Sequence, residues 1–110
     1  MTPKVSIILA NYNEEKYIAE AIESVINQTY TNWELIIIDD ASTDRSQDII
    51  NSYKDSRIKT RFCKKNNHVA YASNLGIDMA IGEYIAKIDS DDVWEAEKLE
   101  KQVLFMEEHT

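Results

Sequence analysis

Four short apolar runs punctuate the chain, and each is followed by a stretch whose apolar residues recur at helical spacing. The first two runs, residues 5–10 and 35–38, are nearly continuous, which is typical of strands buried on both faces of a parallel sheet. A third run, residues 58–62, alternates apolar with basic residues, as we expect of a strand nearer the sheet edge. The fourth predicted strand is residues 83–88.

The intervening stretches predict amphipathic helices at about 17–28, 44–53, 70–80 and 98–108. Asp44 followed by Gln47 three residues later predicts a capping box at the start of the second helix. Regular alternation of strand and helix requires parallel pairing with right-handed crossovers. The sequence therefore predicts an α/β fold, a Rossmann-like doubly wound and mostly parallel sheet with helices on both faces.

The composition indicates one acidic domain, residues 1–110. A net charge of −8 argues against binding to nucleic acid or to an anionic membrane surface. The longest early apolar run is too short for a signal peptide or a membrane span. A single cysteine, Cys63, cannot form an internal disulfide, which fits a reducing compartment, and we expect it to be an ordinary strand residue.

Acidic residues follow the fourth strand, where an open α/β sheet places its ligands. On extended backbone, Asp89 and Asp91 point the same way and can converge on one hard cation such as Mg²⁺ or Mn²⁺. A structural alternative is that these acids cap the next helix, since Asp92 followed by Glu95 fits a capping box. Both roles are compatible.

The loops after the first and second strands should lie on the same edge of the sheet. There, Asp40 can accept the imide N–H of a uracil or thymine base, and Tyr12 can stack on its face. The alternatives are that Tyr12 is a core aromatic and that Asp39 and Asp40 serve only turns and helix ends. Together these residues favour a nucleotide diphosphate site, although no glycine-rich phosphate loop is present.

Five motifs in the same order resemble those of glycosyltransferase family 2, whose members have the GT-A fold. They are residues 5–14 (VSIILANYNE), 28–30 with 33–44 (QTY, WELIIIDDASTD), 74–76 with 82–85 (NLG, GEYI), 89–92 (DSDD) and 97–102 (EKLEKQ). The resemblance covers practically the whole chain. It departs from the family at His68, where glycine is common, and at Ser73, where arginine is common.

The resemblance implies the nucleotide-sugar-binding half of an inverting, metal-dependent enzyme. Such an enzyme transfers a sugar from a nucleoside diphosphate sugar, a UDP-sugar above all, to an acceptor hydroxyl in polysaccharide or cell-surface glycan synthesis. The donor-binding residues carried over are Asn11, Tyr12, Asn13, Glu14, Asp40, Asp89 and Ser90, and the metal ligands for Mn²⁺ or Mg²⁺ are Asp91 and Asp89.

The resemblance also implies what this stretch lacks. The last predicted helix still looks amphipathic at Thr110, so we expect a truncated chain that binds the donor without transferring sugar. The catalytic base and the site for a saccharide or lipid-linked acceptor are expected beyond Thr110. A cytoplasmic enzyme at the inner face of the cell membrane is the expected setting.

Two other classes remain open from the residues. One is a non-catalytic module that binds a nucleotide or metal. The other is a phosphoacceptor signalling domain, which needs an acid pair after the first strand and an aspartate after the third. Here the first strand ends in Asn-Tyr-Asn and the third in Cys-Lys-Lys, so this class ranks last.

Overall fold

Four strands alternate with four helices in a computed structural model that describes residues 2–109. In chain order the elements are β1 (Val5–Asn11), α1 (Ile18–Ile26), β2 (Trp33–Asp39), α2 (Ser46–Asn51), β3 (Ile58–Phe62), α3 (Val69–Met79), β4 (Tyr84–Asp89) and α4 (Lys98–Glu108). The strands form one sheet in the order β3-β2-β1-β4, and every pairing is parallel. The predicted α/β architecture is confirmed.

The central strands β1 and β2 are apolar at successive positions because both faces of the sheet are covered. On one face, residues such as Ile7 and Leu35 pack with α1, α2 and α4. On the other face, Ile8, Ile36 and Ile38 pack under α3. β3 is an edge strand with three exposed residues, as its alternating pattern predicted. The other edge strand is β4, which is exposed on the α3 side.

Helix α3 lies unusually close to β1, and Gly76 makes this possible. A Cβ atom added at Gly76 would lie 2.6 Å from Ile8 Cγ2, nearer than side-chain atoms pack. The glycine therefore fixes the distance between this helix and the sheet.

The predicted capping box at the second helix is wrong. The side chain of Gln47 does not return to the backbone of Asp44 but donates to the Asp39 carboxylate at 2.9 Å. The Asp44 carboxylate accepts the backbone N–H of Ser46 at 2.9 Å. Helix α2 is shorter than predicted: it begins at Ser46 and ends at Asn51, two residues before the predicted end. The predicted first helix was also too long, by one residue at its start and two at its end.

A buried carboxylate closes the opposite, amino-terminal edge of the sheet. The Glu34 side chain is 3% exposed, and it accepts hydrogen bonds from the Ser6 hydroxyl and from the backbone N–H of Ile81, the latter at 2.8 Å. The Lys59 ammonium lies 2.6 Å from the same carboxylate. Ser6 also accepts the backbone N–H of Gly82 at 2.8 Å. This network ties the α3–β4 turn to β1 and β2.

The Glu34 network predicts a pH-dependent contribution to stability. Burial alone would raise the pKa of Glu34, but the bonds from Ile81, Lys59 and Ser6 outweigh it and hold the pKa below its ordinary value of 4.5. A pKa that is lower in the folded state stabilises the fold fully above the unfolded pKa, and this contribution is lost as the pH falls through the folded value. We expect Glu34→Gln to lower the free energy of unfolding by about 2 kcal/mol at pH 7.

The check is urea unfolding of both proteins at neutral pH and again well below pH 4.5, with Glu108→Gln, an exposed acid on α4, as the control. The difference in the free energy of unfolding between the native chain and Glu34→Gln should become smaller in acid, while the control should match the native chain at both pH values. A difference that is the same at both pH values would contradict a lowered pKa for Glu34 in the folded state.

Candidate functional site

Three polar loops meet where the strands end at their carboxyl termini. Asn11 lies opposite Asp39 in the β1–β2 pair, and Ala10 lies opposite Asp89 in the β1–β4 pair. The loops after β1, β2 and β4 therefore share one edge, which we call the carboxyl edge (residues 11–15, 39–44 and 89–92). Crevices at such edges are the usual ligand sites of open α/β sheets.

Asp39 organises the loop after β2 and is fully buried. Its carboxylate accepts hydrogen bonds from Asn11 Nδ2 at 2.9 Å and from Gln47 Nε2 at 2.9 Å. It also accepts the backbone N–H of Ser42 at 2.9 Å and the Ser42 hydroxyl at 2.7 Å. The structural alternative raised for Asp39, a turn residue, is confirmed. Asn11 is likewise buried, and within the described residues its Oδ1 has no hydrogen-bond partner.

Asn13 joins the loop after β1 to the loop after β2. Its backbone is left-handed, with φ 53°, a conformation that asparagine tolerates better than most residues. Its Oδ1 accepts the backbone N–H of Thr43 at 2.8 Å and of Asp44 at 3.3 Å. Its own N–H donates to the Ser42 hydroxyl at 2.9 Å. The carbonyl of Glu14 then accepts the first N–H groups of α1.

Asp44 and Tyr12 complete this region in different ways. The Asp44 carboxylate also accepts the backbone N–H of Glu15 at 3.0 Å. Burial would raise the pKa of Asp44, but its bonds from Ser46 and Glu15 leave the pKa below its ordinary value. Tyr12 is 41% exposed, so the alternative that it is a core aromatic is wrong. Its ring is open to a planar ligand.

Asp40 directly follows β2 and is only 1% exposed. Both of its carboxylate oxygens accept the backbone N–H of Asn67, at 3.0 and 3.2 Å. The Asn66 side chain donates to the Asp40 carbonyl at 3.4 Å. The residue expected to receive a base is therefore covered by the loop after β3. This contact was missed because the Lys-Lys-Asn-Asn tract carries no signal beyond that of a polar loop.

The acids after β4 lie in a turn, so the expectation of extended backbone is wrong. The backbone N–H of Asp92 donates to the Asp89 carbonyl at 3.0 Å, as in a β-turn. One carboxylate oxygen from each of Asp89, Asp91 and Asp92 lies within 4.8 Å of the others, and all three residues are exposed. Ser90 is half-buried in the same turn. The turn thus brings together one acid more than the two that were expected.

The second expectation for these acids, a capping box at Asp92, is also wrong. Helix α4 begins at Lys98, and the side chain of its N-cap residue, Glu97, makes no capping bond. The backbone N–H of Leu99 in the first turn instead donates to Gln28 Oε1 at 2.9 Å. The carboxylates are left facing solvent, in an all-oxygen set that suits Mg²⁺ or Mn²⁺ and leaves positions for water or phosphate oxygens. The residues present therefore fit a hard divalent cation.

Two positions that depart from the family motifs lie at the start of α3 and within it. His68 precedes the helix with φ 83° and ψ 155°, and its side chain is exposed. Ser73 is buried within the helix. Cys63, which directly follows β3, is half-buried against the α3 face of the sheet. Burial and the negative charge of Asp40 raise the pKa of the Cys63 thiol.

The sequence matches a known family along nearly its whole length: residues 6–110 match the model described as glycosyl transferase family 2. The chain is 43% identical over 110 residues to the putative teichuronic acid biosynthesis glycosyltransferase TuaG of Bacillus subtilis, covering 98% of this chain and 44% of that protein. It is 50% identical over 106 residues to the UDP-Glc:alpha-D-GlcNAc-diphosphoundecaprenol beta-1,3-glucosyltransferase WfaP of Escherichia coli, covering 94% and 41%.

The chain is also similar to solved structures of glycosyltransferases. The crystal structure of S. aureus TarS 1-349 in complex with UDP has a TM-score of 0.90 at 32% identity, over 96% of this chain and 32% of that one. The mannosyltransferase PcManGT from Pyrobaculum calidifontis, in complex with GDP-Man and Mn²⁺, has a TM-score of 0.78 at 26% identity, over 87% and 30%. The family predicted from the motifs is confirmed, and a phosphoacceptor signalling domain is excluded.

The chain spans less than half the length of these curated relatives. Within residues 2–109, no helix combines the length and apolarity needed to cross a membrane.

The geometry at Asn13 predicts different costs for two substitutions. Asn13→Gly removes the side-chain acceptor but suits the left-handed backbone, so we expect a loss of about 1 kcal/mol in the free energy of unfolding. Asn13→Ala removes the same acceptor and adds the cost of a left-handed Cβ, roughly 1 kcal/mol more. Urea unfolding followed by circular dichroism measures both. Equal losses for glycine and alanine would contradict the left-handed conformation at this position.

Proposed function

Because the chain belongs to glycosyltransferase family 2, we propose that it forms the donor-binding half of an inverting, metal-dependent glycosyltransferase. The donor is a nucleoside diphosphate sugar, with UDP as the nucleotide. The observation that carries the proposal is the convergence of Asn11, Asp40 and the acidic turn 89–92 at one edge of the sheet. The solved relative TarS was crystallised with UDP and with UDP-GlcNAc, which supports this nucleotide.

The base of the nucleotide binds to the first two loops in this proposal. Tyr12 presents an exposed ring for stacking. Asp40 offers an anionic acceptor for the imide N–H, which uracil has and cytosine lacks. Asn11, Asn13 and Glu14 hold the backbone of the loop in place through the contacts described above.

The diphosphate binds to the acidic turn. Asp91 and Asp89 are the metal ligands, and Asp92 is a third carboxylate within reach. Ser90, half-buried in the same turn, is assigned to the donor. A bound Mn²⁺ or Mg²⁺ would offset the negative charge that builds on the departing nucleoside diphosphate. The Mn²⁺ complex of PcManGT supports this ion class.

The acceptor half packs against an apolar surface formed by β4 and α4. Phe105 and Met106 are exposed there, and with Tyr84 and Ala86 of β4 they line a groove of about 560 Å³ between the two elements. Exposed apolar side chains grouped in this way mark an interface in soluble proteins. We assign the acceptor site and the catalytic base to the half that covers this surface, as the greater length of the relatives suggests.

The acceptor is a saccharide, free or lipid-linked, in polysaccharide synthesis at the cytoplasmic face of the membrane. Two relatives support polysaccharide synthesis and a lipid-linked acceptor by name: TuaG is named for teichuronic acid biosynthesis, and WfaP for a diphosphoundecaprenol-linked acceptor. A non-catalytic nucleotide-binding module is the competing function, and it would bind UDP equally well but support no transfer by the longer protein.

Calorimetric titration of the 110-residue chain with UDP, with and without Mn²⁺, tests the donor site. We expect saturable binding that Mn²⁺ strengthens, and we expect Asp91→Ala to weaken the metal-dependent binding by at least about tenfold, because it removes a ligand. Asp78→Ala, an equal loss of charge at an exposed position on α3, is the control and should bind like the native chain.

The outcomes separate the parts of the proposal. Absence of UDP binding in every condition would contradict the donor site as a whole. Binding that neither Mn²⁺ nor Asp91→Ala alters would contradict the metal assignment alone. Robust sugar transfer to an added acceptor by this chain would contradict the assignment of the base to another half.

A further inference from the structure

We propose that residues 64–68 form a cover over Asp40 that must open before a donor base can bind, and that His68 sets how firmly the cover closes. This inference rests on the proposed function, since it concerns the acceptor assigned to the base. The cover is the segment between β3 and α3 and contains Lys64, Lys65, Asn66, Asn67 and His68.

The cover occludes Asp40. With 1% of its surface exposed, its carboxylate cannot meet a ligand unless a neighbouring group moves. The backbone N–H of Asn67 occupies both carboxylate oxygens, at 3.0 and 3.2 Å. A carboxylate can accept several donors, but an imide N–H must reach the same buried oxygens, and the cover lies over them, so the base needs the cover to move.

The cover is loosely attached to the rest of the domain. Apart from the half-buried Asn67, all of its residues are exposed. Two of its hydrogen bonds are internal, from Asn67 Nδ2 to the Lys65 carbonyl and from the His68 N–H to Asn66 Oδ1. In the described part of the chain, its bonds to the loop after β2 all end on Asp40, and its one bond to α3 is the His68 carbonyl accepting the N–H of Ala72. A segment with few buried contacts and exposed hydrogen bonds opens at low cost.

The backbone of His68 is strained when the cover is closed. Its φ of 83° and ψ of 155° fall in a region that is occupied almost only by glycine, because a Cβ atom is crowded there. The closed cover holds this strain, and opening can release it. The native histidine therefore lowers the cost of opening, whereas glycine at this position would leave the closed state unstrained.

Two variants at one position separate the backbone from the side chain. In His68→Gly the closed cover loses its strain, so we expect about fivefold weaker UDP binding, because the binding-competent open state is less populated. In His68→Ala the Cβ atom and its strain remain while the imidazole is gone, so UDP affinity should stay within twofold of the native value. Calorimetry measures all three proteins under identical conditions.

Solvent exchange of the Asn67 backbone amide, measured by NMR, reports how often the cover opens. In the free proteins we expect slower exchange in His68→Gly than in the native chain and in His68→Ala. On saturation with UDP, exchange of the native Asn67 amide should become faster, because the base takes its place on Asp40. A base that binds without opening the cover would make this exchange slower.

The binding and exchange measurements distinguish failure of the cover, failure of the strain at His68 and failure of the donor site. Equal UDP affinity in all three proteins, or slower Asn67 exchange on saturation, overturns the cover and leaves the donor site standing. Loss of affinity in His68→Ala to the same extent as in His68→Gly overturns the role of backbone strain. Absence of UDP binding by the native chain overturns the proposed function, and the cover with it.

Discussion

Burial of both faces of the two central strands constrains everything else in this domain. β1 and β2 are covered by α1, α2 and α4 on one face and by α3 on the other, so their interior positions accept only apolar side chains. Polar chemistry is confined to the strand ends. The amino edge is closed by Glu34 and its donors, which leaves the carboxyl edge for ligands.

Two consecutive aspartates at the end of β2 divide between structure and function. Asp39 is the last residue of β2 and Asp40 directly follows it, and the two carboxylates are buried among different partners. Asp39 is enclosed by Asn11, Ser42 and Gln47 and fixes the loop geometry. Asp40 bonds through its carboxylate only to the backbone N–H of Asn67 in the described chain, a partner that a ligand can replace. One Asp-Asp pair thus provides both the frame of the site and a proposed contact to the donor.

The sequence predicted the features that depend on local pattern. Continuous apolar runs indicated the buried strands, alternation indicated the edge strand β3, and ordered motifs indicated the family, because each of these signals lies within a few neighbouring residues. The features it missed depend on distant partners. The capping box at Asp44 failed because Gln47 bonds to Asp39, and the cover was missed because Asn67 lies 27 positions from Asp40.

In the acidic turn, the sequence predicted the residues that come together but not the backbone conformation that brings them together. The residue types in 89–92 correctly suggested carboxylates that converge, but the assumed extended backbone was wrong, since the bond from the Asp92 N–H to the Asp89 carbonyl folds the chain back. The carboxylates still lie close together because a β-turn, rather than an extended strand, brings them to one place. The metal and donor roles of these residues remain predictions.

The measurement that tests the central claim most directly is an NMR titration of the amide-labelled chain with UDP and Mn²⁺, with Mg²⁺ as the diamagnetic reference. Paramagnetic broadening falls off steeply with distance from the ion, so it reports where the metal–nucleotide complex lies. The account predicts broadening centred on residues 89–92 and extending to 11–13, with the amino edge around Glu34 and Ser6 unaffected. Broadening centred anywhere other than the carboxyl edge would contradict it.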